Sequence, residues 1–131
     1  MIYGVGTDIV QIDRIQASLK RQDSRILSKI LGPLELDEYE KRNQRNTERG
    51  VLFVATRFAA KEALSKAIGT GMRFPMTWHA AQLLNHQDGR PEFVFNDELD
   101  KWMATRNLRA FISISDERDV VCAFAVVEKF E

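Results

Sequence analysis

The chain has 131 residues, a length that predicts one domain over residues 1–131. Its 19 lysines and arginines balance 19 aspartates and glutamates, so no overall electrostatic field favours nucleic acid as a partner. No apolar run is long enough for a membrane span, no signal peptide is predicted, and a single cysteine argues against a disulfide framework, so we expect a protein of the reducing cytoplasm.

Hydrophobic periodicity and turn residues predict the elements in chain order. A strand is predicted over 2–12, helices over about 13–30 and 34–44, and a long helix over about 49–68. The segment WHAAQLLNH at 78–86 fits a strand or a short helix, and Asp88-Gly89 predicts a hairpin turn into the strand 91–95. Asn96 is a candidate N-cap for a helix over 97–106, and strands over 109–115 and 120–130 complete a mixed α+β fold.

The long helix is apolar around most of its circumference and nevertheless carries a carboxylate on an apolar side. At about 100° per residue, Glu62 falls among the apolar positions Val51, Ala55, Phe58 and Ala59. A stripe through Arg57, Lys61 and Ser65 is predicted to be the solvated side. Glu62 can form an i,i+4 pair with Lys66 worth about 0.3–0.5 kcal/mol. The alternative is a divalent cation, because burying a carboxylate requires a compensating partner.

Asp8 raises the same question in the first strand, which otherwise consists of strand formers and glycines. It is either a hydrogen-bonded structural residue of a turn or bulge, or a ligand of magnesium, which binds one or two protein carboxylates plus phosphate oxygens and waters. The spacing of the chain does not show that Asp8 and Glu62 meet.

The long helix ends at Gly69-Thr70-Gly71. Gly69 is well placed as the residue that closes the helix in the left-handed conformation. The alternative is a side-chain-free turn whose N–H groups approach an anion, with Lys66 as the point charge. The turn follows the helix, so it is not a Walker A loop.

Two segments, GVGTDIVQIDRI at 4–15 and RFAAKEALSKAIGTG at 57–71, closely resemble the signature blocks of one family. This family is the bacterial holo-[acyl-carrier-protein] synthases, the short homotrimeric class of 4′-phosphopantetheinyl transferases. The turn DGRP and the closing SISDER and CAFAVVE also match its layout. The resemblance implies a trimer-forming 4′-phosphopantetheinyl transferase fold, an antiparallel sheet with a long central helix, and favours a strand at 78–86. It also implies transfer of the 4′-phosphopantetheine group from coenzyme A to a serine of apo-acyl carrier protein, for fatty acid biosynthesis, with release of adenosine 3′,5′-bisphosphate.

The resemblance assigns roles by motif position. It implies that Asp8 and Glu62 bind Mg²⁺ and that Lys66 reaches the phosphates of coenzyme A. Further coenzyme contacts are implied for Arg57, Lys61, Gly69, Thr70 and Gly71. Each active site of the family lies at a subunit interface.

Two positions depart from the family pattern. Many relatives carry a histidine where Phe111 stands, and some carry a second one at the position of Asp116. No coenzyme contact or base role is therefore carried over to either position. We expect Glu62, or a metal-bound water that it holds, to accept the serine proton, and the identity of the base stays open.

A basic segment follows the first strand. Five bases (Arg14, Lys20, Arg21, Arg25 and Lys29) outnumber two acids (Asp13 and Asp23), an excess of 5 − 2 = +3. This excess is either an ordinary solvated helix face or a docking surface. The family docks its acidic carrier protein on the helix after the first strand, which makes Arg14, Arg21 and Arg25 the candidates.

Three other readings remain. The chain is a non-catalytic binding module of the same fold, a carrier-modifying domain of a larger synthase, or a nucleic-acid-binding protein. The intact signature blocks argue against the first, and a first strand that starts at Met1 favours a stand-alone enzyme over the second. The third fits worst, because the bases do not form a stripe with aromatic residues.

Overall fold

The computed structural model describes residues 1–22 and 24–131. The strands of these ranges are β1 (Ile2–Gln11), β2 (Ala81–Asn85), β3 (Pro91–Phe95), β4 (Leu108–Asp116) and β5 (Val120–Lys129). They form an antiparallel three-stranded sheet of order β1-β5-β4 and a separate β2-β3 hairpin. The predicted α+β class is confirmed, and the segment at 78–86 contributes a strand.

The helices of the same ranges are α1 (Ile12–Gln22), α2 (Ser24–Ile30), α3 (Pro33–Arg45), α4 (Thr47–Ile68) and α5 (Asp97–Thr105). Within the described residues, α1 and α2 cover the segment predicted as helix over about 13–30. Asp23, one of the acids counted in the basic segment, lies outside the described residues.

Local capping explains where the helices begin and end. The Asn46 side chain accepts hydrogen bonds from the N–H groups of Glu48 at 2.7 Å and Arg49 at 3.4 Å, which starts α4. The helix ends at Gly69, whose φ of 85° confirms the predicted left-handed cap. The predicted N-cap of α5 is also confirmed, because Asn96 accepts from the N–H of Leu99 at 2.9 Å.

Helix α4 packs against β1 and β5 and forms the centre of the core. Its contact with β1 is unusually close. A Cβ added at Gly6 would lie 2.1 Å from the carbonyl oxygen of Ala63, and one added at Gly4 would lie 2.0 Å from that of Ala67. Glycine lets the two backbones meet here. The strand therefore runs antiparallel along the helix, which brings Asp8 beside the turn of α4 that carries Glu62.

The other face of the three-stranded sheet is an exposed apolar surface, which we call the outer face. It carries Val5, Ile9, Phe111 and Phe124, which are 53%, 69%, 48% and 42% exposed. The register joins these residues across the sheet, since Val5 and Phe111 both pair with Val126 on β5. Contiguous apolar surface of this kind marks an interaction site.

Among the described residues, no helix combines the length and the apolar character that crossing a membrane requires.

Candidate active site

Asp8 and Glu62, which the sequence left unconnected, come together beside the contact between β1 and α4. The pKa of the Glu62 carboxyl is raised, first by its partial burial and second by the negative charge of Asp8, while Lys66 acts in the opposite direction. Two carboxylates close together in a partly buried position repel each other, and a cation bound between them would relieve that repulsion.

Lys66 lies between these groups but does not form the i,i+4 ion pair with Glu62. Its ammonium donates to the carbonyl oxygen of Thr7 at 2.8 Å and to Oδ1 of Asp8 at 3.3 Å. The lysine therefore links helix α4 to strand β1. Its side chain is still 52% exposed, which leaves it able to contact a bound anion.

The second oxygen of Asp8 has no partner among the described residues. Oδ2 is buried and accepts no hydrogen bond, an omission that costs about 1–3 kcal/mol for a buried polar group. An unpartnered carboxylate oxygen beside a second carboxylate fits a hard divalent cation such as Mg²⁺. The described residues contain no cluster of three or more His, Cys, Asp or Glu side chains placed to hold a metal ion.

The glycine turn after α4 caps the helix. The N–H groups of Gly69 and Gly71 donate to the carbonyl oxygen of Ser65 at 3.2 and 3.1 Å. These two donors are therefore not free to approach an anion, as the alternative reading required. A Cβ at either glycine would meet nothing within 4 Å, so the turn borders open space beside Lys66.

The prediction that Arg57, Lys61 and Ser65 form a solvated stripe is wrong. Their exposures are 4%, 0% and 2%. Helix α3 and strand β2 pack against α4 and bury charged groups together with their partners. Periodicity assumed that charged side chains face water, and it does not reveal such partners.

Lys61 is enclosed completely. Its ammonium donates to the carbonyl oxygens of Ile30 and Trp78 and to Oε1 of Glu35, each at 2.6 Å. Burial lowers the pKa of Lys61, and Glu35 opposes that change. All three hydrogens have acceptors within the chain, so the predicted contact of Lys61 with a coenzyme phosphate does not fit this geometry.

Arg57 is also held by the chain. Its Nε donates to the carbonyl oxygen of Leu83 at 3.0 Å, and its guanidinium lies 4.0 Å from the centre of the Phe53 ring. Burial is the main cause that lowers the pKa of Arg57 to about 10, so it remains charged at neutral pH. The residue lines an open cavity.

That cavity is a cationic site missed by the sequence reasoning. Its volume is about 500 Å³, and its basic lining residues are Lys41, Arg42, Arg45, Arg49 and Arg57. Two acids line it as well, Asp116 at the end of β4 and Glu38, which forms an ion pair with Arg42 at 3.0 Å. The clustered bases of the run KRNQRNTER at 41–49 were a signal for such a site in the sequence. Only the packing of α3 against α4 brings these bases onto one surface. Arg57 lies about 140° around α4 from Glu62, so the cavity and the carboxylate pair occupy different sides of the helix.

The candidates for carrier docking lie on α1 and α2. Arg14, Arg21 and Arg25 are all exposed. This exposure fits both alternatives, a docking surface and a solvated helix face. Phe111, at the family's histidine position, is a residue of the outer face.

The chain is similar to known proteins in both sequence and structure. Residues 4–125 match the 4′-phosphopantetheinyl transferase superfamily. The chain is 53% identical to the holo-[acyl-carrier-protein] synthase of Cupriavidus taiwanensis over 98% of this chain and 92% of that protein. The crystal structure of the synthase from Neisseria meningitidis superimposes with a TM-score of 0.91 at 40% identity, covering 98% of this chain and 100% of that one. A synthase from Bacillus anthracis, solved with CoA (3′,5′-ADP), superimposes with a TM-score of 0.82 at 29% identity, covering 99% of both chains.

Proposed function

This chain belongs to the 4′-phosphopantetheinyl transferase superfamily, and on that premise we propose that it is a holo-[acyl-carrier-protein] synthase. It transfers the 4′-phosphopantetheine group of coenzyme A to a serine of apo-acyl carrier protein. The single observation that carries this proposal is the carboxylate pair of Asp8 and Glu62, with an unpartnered buried oxygen and Lys66 alongside. Residues 1–131 act as one domain, in cytoplasmic fatty acid biosynthesis.

Asp8 and Glu62 are the proposed ligands of Mg²⁺. A bound divalent cation supplies neutralisation of the pyrophosphate and of the charge that develops on the leaving bisphosphate. The chain itself holds the two carboxylates close together despite their repulsion, which makes this position favourable for a bound cation.

Lys66 is the proposed phosphate contact from the helix. Its half-exposed ammonium is tied to β1 through Thr7 and Asp8, so it presents a positioned positive charge beside the carboxylates. The open space next to Gly69, Thr70 and Gly71 accommodates the coenzyme without a side-chain clash. Phosphoryl transfer depends on such positioning and charge stabilisation more than on covalent catalysis.

In the transfer itself, the serine oxygen bonds to the phosphorus that carries the pantetheine arm. The bond from that phosphorus to the bridging oxygen breaks, and adenosine 3′,5′-bisphosphate leaves with the bonding pair. We assign the serine proton to Glu62, which lies at the carboxylate pair, since Phe111 removes the family's histidine. If Glu62→Gln keeps near-normal turnover at saturating Mg²⁺, this assignment is wrong.

The cationic cavity is the second proposed coenzyme site. Four of its five bases were not expected to act together, and only Arg57 was a predicted coenzyme contact. Because the cavity and the carboxylates lie on different sides of α4, one coenzyme reaches both only if two chains contribute. Arg49→Ala should raise the KM for coenzyme A about tenfold and leave the KM for the carrier unchanged. An unchanged KM for coenzyme A would show that the cavity is not part of the coenzyme site.

A homotrimer with active sites between subunits satisfies this requirement. The outer face offers the apolar surface for it, with Val5, Ile9, Phe111 and Phe124 exposed in the isolated chain. Covering such a surface with other copies of the chain extends the small core of a chain of this size.

The transfer is tested by mass spectrometry of apo-acyl carrier protein after incubation with coenzyme A, Mg²⁺ and this chain. We expect a mass increase equal to one phosphopantetheine, dependent on Mg²⁺ and abolished by chelation. Asp8→Asn keeps the shape of the side chain and removes its charge, so it should lower the rate by at least about 10²-fold. An unmodified carrier across all Mg²⁺ concentrations would refute the proposed activity.

A further inference from the structure

A fully buried ion pair lies on the side of α4 that faces α3 and the hairpin. Lys61 and Glu35 are both 0% exposed, and their charged atoms are 2.6 Å apart. Glu35 accepts from the N–H of Gly32 at 2.9 Å through Oε1 and from that of Leu83 at 2.8 Å through Oε2. Every hydrogen of the ammonium and both oxygens of the carboxylate thus have partners.

We call this pair, with its main-chain partners at Ile30, Gly32, Trp78 and Leu83, the clamp. It joins α4 to the end of α2, the start of α3, the segment before β2, and β2 itself. Hydrogen bonds are directional, so the clamp restricts both the rotation of α4 about its axis and its position along that axis.

The opposite side of α4 has a weaker restraint. There Ala63 and Ala67 lie directly on Gly6 and Gly4, and the side-chain link between helix and strand is the half-exposed Lys66, which donates to Thr7 and Asp8. Ridges of side chains are what normally fix the relation of packed elements. Lys66 contacts Asp8 and forms no ion pair with Glu62, so this link does not by itself hold Glu62 towards Asp8.

We propose that Lys61 and Glu35 are positioning residues for the carboxylate pair. Lys61 precedes Glu62 in the helix, so any rotation that the clamp prevents at Lys61 is also prevented at Glu62. The clamp holds Glu62 beside Asp8 before a cation arrives. This role rests on the metal site proposed above.

Stability alone does not account for the pair. Replacing a buried ion pair by apolar groups of similar size is often neutral or even stabilising, because desolvation of both charges offsets their attraction. Removing only one partner is strongly destabilising, since it leaves an unpaired buried charge. A role in positioning Glu62 can therefore be distinguished from a role in stability in two ways. Either both partners are replaced together, or both charges are kept and the geometry of the pair is altered.

Two variants make that separation. Glu35→Asp keeps both charges but shortens the carboxylate by one methylene, and Lys61→Met with Glu35→Gln removes both charges together. Leu99→Ala is the matched control, because Leu99 is fully buried on α5 and has no part in the clamp. Folding is checked by circular dichroism.

The measurement is Mn²⁺ binding, followed by electron paramagnetic resonance with saturating coenzyme A and no carrier protein. The Asp8→Asn variant gives the background of the measurement, which is the Mn²⁺ bound by coenzyme A itself. We expect both clamp variants to bind Mn²⁺ about 10-fold or more weakly and to lose a similar factor in kcat, with the KM for the carrier unchanged. Leu99→Ala should bind Mn²⁺ as the unmodified chain does.

Mn²⁺ affinity within about twofold of the unmodified chain in either folded clamp variant would overturn the proposal. Loss of folding in both clamp variants, with Leu99→Ala still folded, would also overturn it, because the pair would then be structural. Failure of the metal site itself has a different signature. In that case the unmodified chain binds no more Mn²⁺ than Asp8→Asn.

Discussion

The close contact between β1 and α4 makes Gly6→Ala the most direct test of how the carboxylate pair is assembled. The added Cβ would lie 2.1 Å from the carbonyl oxygen of Ala63, whereas ordinary contact begins at 3.4 Å, so helix and strand must separate by about 1.3 Å. The two nearest atoms, the carbonyl oxygen of Ala63 and the nitrogen of Ala67 at 2.8 Å, belong to the backbone and cannot turn aside as a flexible side chain does. Overpacking of this kind costs about 1–3 kcal/mol of stability.

The separation should affect chemistry more than folding. Asp8 lies two residues beyond Gly6 and Glu62 one residue before Ala63, so the displacement falls on the proposed metal site. A misplacement of about 1 Å can cost about 10²-fold in rate. We therefore expect kcat to fall by that factor at saturating Mg²⁺, and Mn²⁺ to bind more weakly.

The assay is the transfer of phosphopantetheine to the carrier at a temperature where the variant remains folded. Leu99→Ala serves again as the control, since its cavity costs about 2–5 kcal/mol without moving β1 or α4. A Gly6→Ala variant with lowered melting temperature but kcat within about threefold of the unmodified chain would refute the reasoning.

Three further predictions concern charge and assembly. The pKa of Glu62 is raised in the metal-free fold, so the fold loses stability as the pH rises through that pKa and Glu62 becomes ionised. Below the ordinary value of 4.5, Glu62 is protonated in both the folded and the unfolded chain, and this loss of stability is absent. With chelator present, Glu62→Gln should thus melt higher than the unmodified chain at pH 8, and an advantage that persists below pH 4.5 would contradict this origin. Arg14→Glu should raise the KM for the acidic carrier about tenfold and flatten its salt dependence without changing coenzyme binding, whereas Lys101→Glu on α5 should change neither. Phe124→Asp should convert the proposed trimer into monomers, as measured by light scattering, and remove activity, whereas an active trimer would show that the outer face is not the interface.

Much of the fold was predictable because its signals are local. Gly69 ends α4 and Asn96 begins α5 through hydrogen bonds to residues at most four positions away, so short-range composition suffices to identify them.

The site was only partly predictable. Asp8 and Glu62 stood out as carboxylates in apolar elements, and the family resemblance paired them. Their meeting depends on the backbone contact between Gly6 and Ala63, which joins residues far apart in the chain.

The buried charges mark where sequence reasoning ends. Sequence by itself determined the order of the elements, the caps and the two unusual carboxylates. Tertiary structure alone decided that Lys61 meets Glu35 inside the core, that Arg57 binds the backbone of β2, and that α3 and α4 form one cationic cavity. Periodicity records how polar a helix face is, but whether a charge on that face lies in water or against a partner depends on which distant segment packs there.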